Sequence, residues 1–181
     1  MSNHECTMYD EIYRVPLIAR WPGTIPAGTR SDHFVHHFLD VHATIKELIG
    51  SELSPEAHGR SLMPVFAGTA GADWPQEAFC EFHGAHMGLY SMRLVRNRRY
   101  SYIYHPYDVD EFYDHEDDPH QLHNLTVPAG EAGAAMAQMK RQLVAWMAAT
   151  DDPLHNEWAV MWLTGDADLA EQAPSRKRLS W

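Results

Sequence analysis

The sequence lacks several features that would mark whole classes of protein. It has only two cysteines, Cys6 and Cys80, so a disulfide framework is not expected. No apolar run approaches the roughly 20 residues that a membrane-spanning helix needs, and the polar start lacks the apolar segment of a signal peptide. The net charge of −11 argues against nucleic acid as a partner, because phosphate contacts need clustered Lys and Arg. These absences predict no membrane and no nucleic-acid partner and leave the compartment open.

The first third of the chain has little regular pattern. Val15 to Ala19 is a short apolar run that ends at the turn signal Trp21-Pro22-Gly23. The run does not alternate between polar and apolar residues, so it predicts a strand buried on both faces, as in a sheet covered by helices. The chain has no further strand–helix repeats to build such a sheet. The run therefore indicates a remnant of a larger α/β domain.

A helix is predicted after this run. Asp40 is a suitable N-cap, and Gly50 is a suitable stop. Between them, apolar residues fall on one face of a helix at Val41, Ile45 and Leu48.

The second half predicts a small antiparallel sheet. Short strands are expected at 78–82, 92–95, 100–104 and 111–113, with Tyr100, Tyr102 and Tyr104 on one face. A helix over 131–149 carries a Met, Leu and Trp face that is expected to cover the sheet. A second, shorter helix is expected over 153–163. The polar tail from Gly165 predicts no regular structure. The fold class is therefore α+β.

Five segments resemble, in the same order, motifs of sulfatases of the alkaline phosphatase superfamily. They are Met8 to Gly23, Leu39 to Gly50, Gly59 to Pro64, Arg93 to Tyr104, and Glu111 to Leu125. The resemblance implies the carboxy-terminal portion of a hydrolase of sulfate esters. It implies the end of the α/β domain over 1–72, the antiparallel-sheet subdomain over 73–150, and an extension over 151–181.

The reaction chemistry of that family is not identifiable in the 181 residues. Such sulfatases use a formylglycine made from Cys or Ser in a Cys/Ser-x-Pro/Ala-x-Arg motif, and neither Cys6, Cys80 nor any serine fits it. The resemblance implies that formylglycine and calcium belong to a full-length relative, so no catalytic residue and no metal ligand is assigned. Ester cleavage needs an activated nucleophile and stabilisation of developing charge. The chain alone is expected to be inactive.

Three histidines are candidate substrate-binding residues. His83 and His86 lie in a glycine-flanked loop after a predicted strand, and this loop resembles one that faces the active-site mouth in one sulfatase subgroup. His4 takes a place near that of a family lysine. His83 and His86 are either hydrogen-bond donors to a sulfate or sugar oxygen, or loop histidines held by packing. His4 is either a cationic contact to an anionic substrate or part of a frayed or unrelated start.

The remaining polar clusters have ordinary interpretations as well as functional ones. Arg96, Arg98 and Arg99 form a basic hairpin tip that either attracts an anion or is a solvated turn. Asn124 begins a glycosylation sequon. The histidines at 33–37 lack the accompanying ligands of a metal site. Those at 115–123 lie among three carboxylates, but the family resemblance implies a turn there rather than a metal site.

The partners expected are a sulfated small molecule or carbohydrate, and either an amino-terminal half or a second copy at the exposed edge near Val15. The alternative function is a non-catalytic module that binds an anionic ligand or a partner chain.

Overall fold

The computed structural model describes residues 7–84, 91–106 and 108–174. Its elements are, in chain order, α1 (Asp10–Tyr13), α2 (His37–Leu48), α3 (Met63–Phe66), β1 (Ala78–His83), β2 (Ser91–Arg96), β3 (Tyr100–Tyr104), β4 (Glu111–Asp114), α4 (Gly130–Ala149), α5 (Glu157–Thr164) and α6 (Ala167–Glu171). The described residues form two compact units. Arg14–Ala78 is called the α2 unit, and residues 7–13 with those from Phe79 onward are called the sheet unit.

The sheet unit is built on four strands in the order β1-β2-β3-β4. The two pairings β2–β3 and β3–β4 are antiparallel, with Val95 opposite Tyr102 and Tyr102 opposite Phe112. All four strands fall where the alternation of the sequence predicts them. The α+β fold class with a four-stranded antiparallel sheet is confirmed.

One face of the sheet packs against α4. Tyr100, Tyr102 and Tyr104 all point to this face, as the period of two predicts, and are at least 95% buried with Val95 and Phe112. From α4 the cluster takes Met139, Leu143, Val144 and Met147, and Phe79 of β1 stacks on Trp146 at 5.4 Å. Burial of this continuous apolar surface is the main stabilising contribution to the sheet unit.

The opposite face of the sheet is covered by the start of the chain. Met8 is buried with Met92, Leu94, Ile103 and Tyr113, and the Tyr9 ring meets Tyr113 edge-on at 6.0 Å. The Asp10 carboxylate also receives two hydrogen bonds of 2.8 Å from Arg96 of β2. The first residues of the opening motif therefore cover the second face of the sheet. The sequence pattern did not predict this packing role.

The predicted strand at Val15 to Ala19 is wrong. The segment has no strand hydrogen bonding, and Val15, Leu17 and Ile18 are 50%, 47% and 90% exposed. A strand needs a neighbour to pair with its backbone, and the α2 unit offers none among its described residues. The expectation of exposed apolar side chains near Val15 is confirmed.

Asp40 does not cap α2, contrary to the prediction, because the helix begins one turn earlier at His37. Its carboxylate instead accepts the backbone N–H of His36 at 2.8 Å and that of Arg60 at 2.9 Å. Thr44 accepts the N–H of Leu62 at 2.9 Å. Two of the family-like motifs, the helix start and the Gly59 to Pro64 loop, are thus held together by side-chain hydrogen bonds.

Gly50 ends α2 as predicted. It lies just after the C-cap with φ of 67°, a left-handed conformation that glycine adopts without steric cost. Its N–H donates to Glu47 O at 3.0 Å, and the N–H of Ser51 donates to Lys46 O at 2.9 Å, which satisfies the last carbonyls of the helix.

The chain beyond α4 is more ordered than predicted. Asn156 caps α5 by accepting the N–H groups of Trp158 and Ala159, and Asp166 caps α6 by accepting that of Leu169. Ala170 of α6 is buried in the same cluster as α4 and α5. The prediction of an unstructured tail from Gly165 is therefore wrong for 167–171, and residues 175–181 lie outside the described part of the chain.

The last family-like motif closes the open edge of β4. Asn124 accepts the N–H of Phe112 at 2.9 Å and donates to Asp110 O at 3.0 Å, while the Leu125 N–H donates to Phe112 O at 2.8 Å. These bonds occupy backbone groups that an edge strand otherwise leaves unpaired. Both functions of the Asn124 amide are used in the fold, so the sequon coincides with a structural asparagine.

Candidate functional site

His83, one of the three predicted binding residues, is the last residue of β1 and is followed by Gly84. Its imidazole is about half exposed. The other two candidates, His86 and His4, lie outside the described residues, so their binding role stays a prediction. The site can therefore be built only around His83 and the side chains that contact it.

A completely buried arginine holds His83. Nη2 of Arg93 lies 3.0 Å from Nε2 of His83, and the Arg93 side chain is 0% exposed. A guanidinium can only donate, so His83 Nε2 must accept this bond and the proton of the neutral ring must lie on Nδ1. The arrangement leaves Nδ1–H as the donor that His83 can offer to a ligand. It is thus a positioned hydrogen-bond donor at the end of a strand.

Arg93 is in turn fixed by Asp152, which lies just after α4. The carboxylate takes a bidentate pair from Nε and Nη2 of Arg93, and Nη1 donates to Met92 O at 2.8 Å and, at 3.5 Å, to Phe82 O. With His83, all five N–H groups of the guanidinium have an acceptor. A buried charge is tolerated when it is paired and fully hydrogen-bonded, and this pair meets that condition.

Neither Arg93 nor Asp152 was predicted to belong to a site. A signal was present in the sequence, since Arg93 interrupts the apolar strand Met92 to Val95, and a charge inside a buried strand needs a partner. The identity of that partner was not readable, because Asp152 lies 59 residues further along the chain.

Glu81 brings a carboxylate to the same place. Its Oε2 lies 3.7 Å from His83 Nε2 and 3.9 Å from Arg93 Nη2, with the Glu81 side chain 54% exposed. Glu81 and His83 point to the same side of β1, as residues two apart in a strand do. The exposed end of β1 therefore presents an imidazole N–H donor beside a carboxylate. The buried Arg93 fixes the imidazole through its hydrogen bond to Nε2.

The basic hairpin tip is neither a free anion site nor simply a solvated turn. Arg96 pairs with Asp10, and Arg99 pairs with Asp114 at 3.0 Å and reaches Glu116 and Glu131 at its exposed edge. Burial by itself raises the pKa of Asp114, but hydrogen bonds from Arg99 and nearby backbone N–H groups outweigh this and leave that pKa below its usual value. The two arginines connect the hairpin to the rest of the sheet unit.

The described residues offer neither a metal site nor an activated thiol. Within 7–84, 91–106 and 108–174 no group of three or more His, Cys, Asp or Glu side chains is placed to hold a metal ion. Burial raises the pKa of the Cys80 thiol to about 11, so it is protonated at neutral pH. In the same ranges no helix is long and apolar enough to cross a membrane.

The four-stranded antiparallel sheet with α4 on one face defines an α+β subdomain. Residues 4–149 match the family described as N-sulphoglucosamine sulphohydrolase, C-terminal, and the chain belongs to that family. The recognition of a carboxy-terminal sulfatase portion is confirmed.

Curated relatives support this assignment. An N-acetylglucosamine-6-O-sulfatase of Bacteroides thetaiotaomicron is 30% identical over 125 residues, which is 65% of this chain and 22% of the relative. A ulvan-active sulfatase of Formosa agariphila is 23% identical over 82% of this chain and 36% of its own length. The chain thus spans about a fifth to a third of the length of these relatives.

Among solved structures, a phosphonate monoester hydrolase of Silicibacter pomeroyi has the same fold. The TM-score is 0.67 at 24% identity, over 81% of this chain and 31% of that one.

Proposed function

We propose that this chain is the carboxy-terminal part of a sulfatase that acts on a sulfated carbohydrate, and that it supplies binding groups rather than reaction chemistry. The observation that carries the proposal is the family match over 4–149 combined with a hydrogen-bond donor fixed at the end of β1. Two curated relatives are named for sulfated sugar substrates, which supports the substrate class. The absence of a Cys/Ser-x-Pro/Ala-x-Arg motif supports inactivity of these 181 residues alone.

His83 is the proposed contact to the sulfated sugar, and Arg93 is the positioning residue behind it. Arg93 fixes the ring by donating to Nε2, so that Nδ1–H is the donor that remains for a sulfate or hydroxyl oxygen. The nearby Glu81 carboxylate suits a sugar hydroxyl, which donates to it, and disfavours a bare sulfate anion.

The α2 unit is the proposed docking face for the catalytic part of the enzyme. Its exposed apolar side chains include Phe38 and Ile45, on one side of α2, and Ile49, the C-cap residue that follows them on the same side. They are 79%, 52% and 69% exposed. Val15, Leu17 and Ile18 lie in the same unit and are also exposed. Apolar surface of this extent is typical of a face covered by another protein surface. The alternative is that a second copy of this chain covers the same apolar surface.

Binding at His83 is testable with this chain as it stands. Histidine ring signals in NMR spectra should shift for His83 when 6-O-sulfated N-acetylglucosamine is added, and the response should disappear in His83→Ala. His120→Ala is the matched control, because His120 is 75% exposed in a turn and should leave the response unchanged. The proposal for His83 would be contradicted if its ring signal did not shift on addition of the sugar. It would also be contradicted if the response persisted in His83→Ala.

Docking requires a separate measurement. Light scattering should report self-association or poor solubility of the chain, and replacing Phe38, Ile45 and Ile49 with Ser should restore a soluble monomer. A wild-type chain that is monomeric and highly soluble would contradict the docking face. The alternative of a non-catalytic module is distinguished by the reading frame upstream. A split enzyme requires the Cys/Ser-x-Pro/Ala-x-Arg motif and the calcium ligands to be encoded there.

A further inference from the structure

A groove at the opposite edge of the sheet from His83 has the composition of a sugar-binding site. It has a volume of about 420 Å³ and lies between β4, α4 and α5. Its lining includes Tyr102, Asp110, Lys140 and Trp162. Since β1 and β4 are the two edges of the sheet, this groove is distinct from the His83 position. We propose that the groove and the exposed face of α5 bind an uncharged segment of an oligosaccharide chain.

The aromatic part of the site is on α5. Trp158 and Trp162 are one helical turn apart on the same side of the helix and are 72% and 67% exposed, with Met161 beside them. Their positions are about 6 Å apart along the axis, given a rise of about 1.5 Å per residue. An exposed indole costs free energy in water unless an apolar surface covers it, and the C–H face of a pyranose ring is such a surface.

The helix that carries the indoles is firmly anchored. Ala159, Val160 and Leu163 on its other side are buried against α4 and the sheet, and Asn156 caps its first turn. The two tryptophans are therefore presented by a rigid element, so a ligand binds to them without a large ordering cost.

Asp110 supplies the polar part of the site. Its carboxylate accepts Tyr102 OH at 2.6 Å, the His105 N–H at 3.0 Å and the Trp162 indole N–H at 3.4 Å. Burial and the neighbouring Asp110 charge raise the pKa of Tyr102, so its hydroxyl stays a donor. Two oxygens provide about four acceptor positions, so one is left for a sugar hydroxyl. The long indole contact can also yield to such a hydroxyl.

The charges of the groove select against sulfated sugars. Asp108 and Asp110 bring two carboxylates, whereas Lys140 is the one cation among the described residues that line the groove. Its Nζ lies 5.2 Å from the centroid of the Tyr102 ring. Glu111 also borders the groove, but its carboxylate oxygens are already hydrogen-bonded to His105 and Tyr113. A sulfate group would meet an excess of negative charge. Hydroxyl groups, in contrast, donate to carboxylates without a charge penalty. The occupant is therefore a neutral stretch of a glycan rather than its sulfated residues.

The test uses the full chain and neutral gluco- and galacto-oligosaccharides of two to six rings as probes, with tryptophan fluorescence and the indole N–H signals as readouts. Binding at millimolar concentrations is expected, and it should weaken about tenfold or more in Trp162→Ala, because one stacking platform is lost. Trp158→Ala should affect the longer probes more than the disaccharides. Trp21→Ala is the matched control, since Trp21 is partly exposed in the α2 unit, and it should bind as the wild type does.

Two further results decide the proposal. Affinity should change little with salt, and a heparin-derived hexasaccharide should bind this surface more weakly than the neutral probes. Thermal unfolding of Trp162→Ala should match that of the wild type, because the side chain is largely exposed. Failure of every neutral probe to shift the Trp162 indole signal would overturn the proposal, as would equal binding by the Trp158→Ala/Trp162→Ala double variant. Neither readout depends on hydrolysis or on His83.

Discussion

The contacts of Arg93 show how one side chain can connect distant parts of a sequence. The residue lies in β2 between the apolar residues Met92 and Leu94. Its guanidinium connects β1, β2 and the segment after α4. Sequence patterns identified the strand correctly, because Met92, Leu94 and Val95 indicate burial. They gave no partner for the charge, since pairing across 59 residues leaves no local signal.

Asp152→Ala should destabilise the chain strongly. The change leaves the Arg93 charge buried and uncompensated, which costs about 3–5 kcal/mol of the free energy of unfolding. Urea denaturation followed by circular dichroism measures the effect. Glu131→Gln is the control, because Glu131 is exposed at the rim of the Arg99 cluster and should matter little. The Arg93→Met/Asp152→Leu double variant should recover much of the loss, and a near-neutral Asp152→Ala would contradict the account of this pair.

Cys80 should be a slow nucleophile. Burial against the second face of the sheet raises its pKa to about 11, so at pH 8 only about one thiol in a thousand is ionised. In a Cys6→Ser background, maleimide labelling of the folded chain should be about 100-fold slower than labelling in urea. The rate should rise with pH up to about 11, because the thiolate fraction rises. Labelling at the unfolded rate at pH 8 would show that Cys80 is not protected.

The elements of the sheet unit were more predictable than those of the α2 unit. The tyrosines at every second position of β3 and the apolar face of α4 each leave a clear period in the sequence, because they pack against one another. The other face of β3 is buried as well, by the start of the chain. The Val15 segment also has the pattern of a buried strand, yet it pairs with no strand in the described part of the chain, and its apolar side chains are exposed. The helix α6 was missed because a helix of five residues has too few positions for a period.

The contact between α2 and the Gly59 to Pro64 loop requires glycine at position 59, because α2 leaves no space there for a side chain. A Cβ at Gly59 would lie 2.1 Å from the Leu39 carbonyl oxygen, far closer than any ordinary contact. Gly59→Ala should therefore push the loop away from α2 and lengthen the bond from the Arg60 N–H to Asp40. A loss of about 1–3 kcal/mol in the free energy of unfolding is expected.

Thermal and urea unfolding of Gly59→Ala and Gly71→Ala provide the comparison. At Gly71 a Cβ meets only the end of the Asp73 side chain, at 2.9 Å, and that side chain can rotate away. Gly71→Ala should be nearly neutral. Equal stability of the two variants would mean that the loop does not need to approach α2 so closely.

At the scale of the whole molecule, the family could be read from the sequence, but the candidate binding site could be read only in part. Ordered motifs identified a carboxy-terminal sulfatase portion because they encode loop attachments, close approaches and strand edges, as Asp40, Gly59 and Asn124 illustrate. His83 was predicted as a binding residue from its loop context, a role that stays a prediction, whereas its contact with Arg93, and that of Arg93 with Asp152, could be seen only in the folded chain. The packing of Met8 and Tyr9 against the second face of the sheet was not predicted. The residues that they contact in β2, β3 and β4 lie more than 80 positions further along the chain.

The central claim is that this chain supplies substrate-binding groups while a separate catalytic part supplies the nucleophile. Measurement of sulfate release tests this claim directly. The purified 181-residue chain should release no sulfate above background from 6-O-sulfated N-acetylglucosamine or an aryl sulfate, with or without calcium. Co-expression with an upstream frame that encodes a nucleophile motif should give turnover, and His83→Ala should then raise KM for the sugar more than it lowers kcat. Turnover at enzyme-like rates by the 181-residue chain alone would contradict the account.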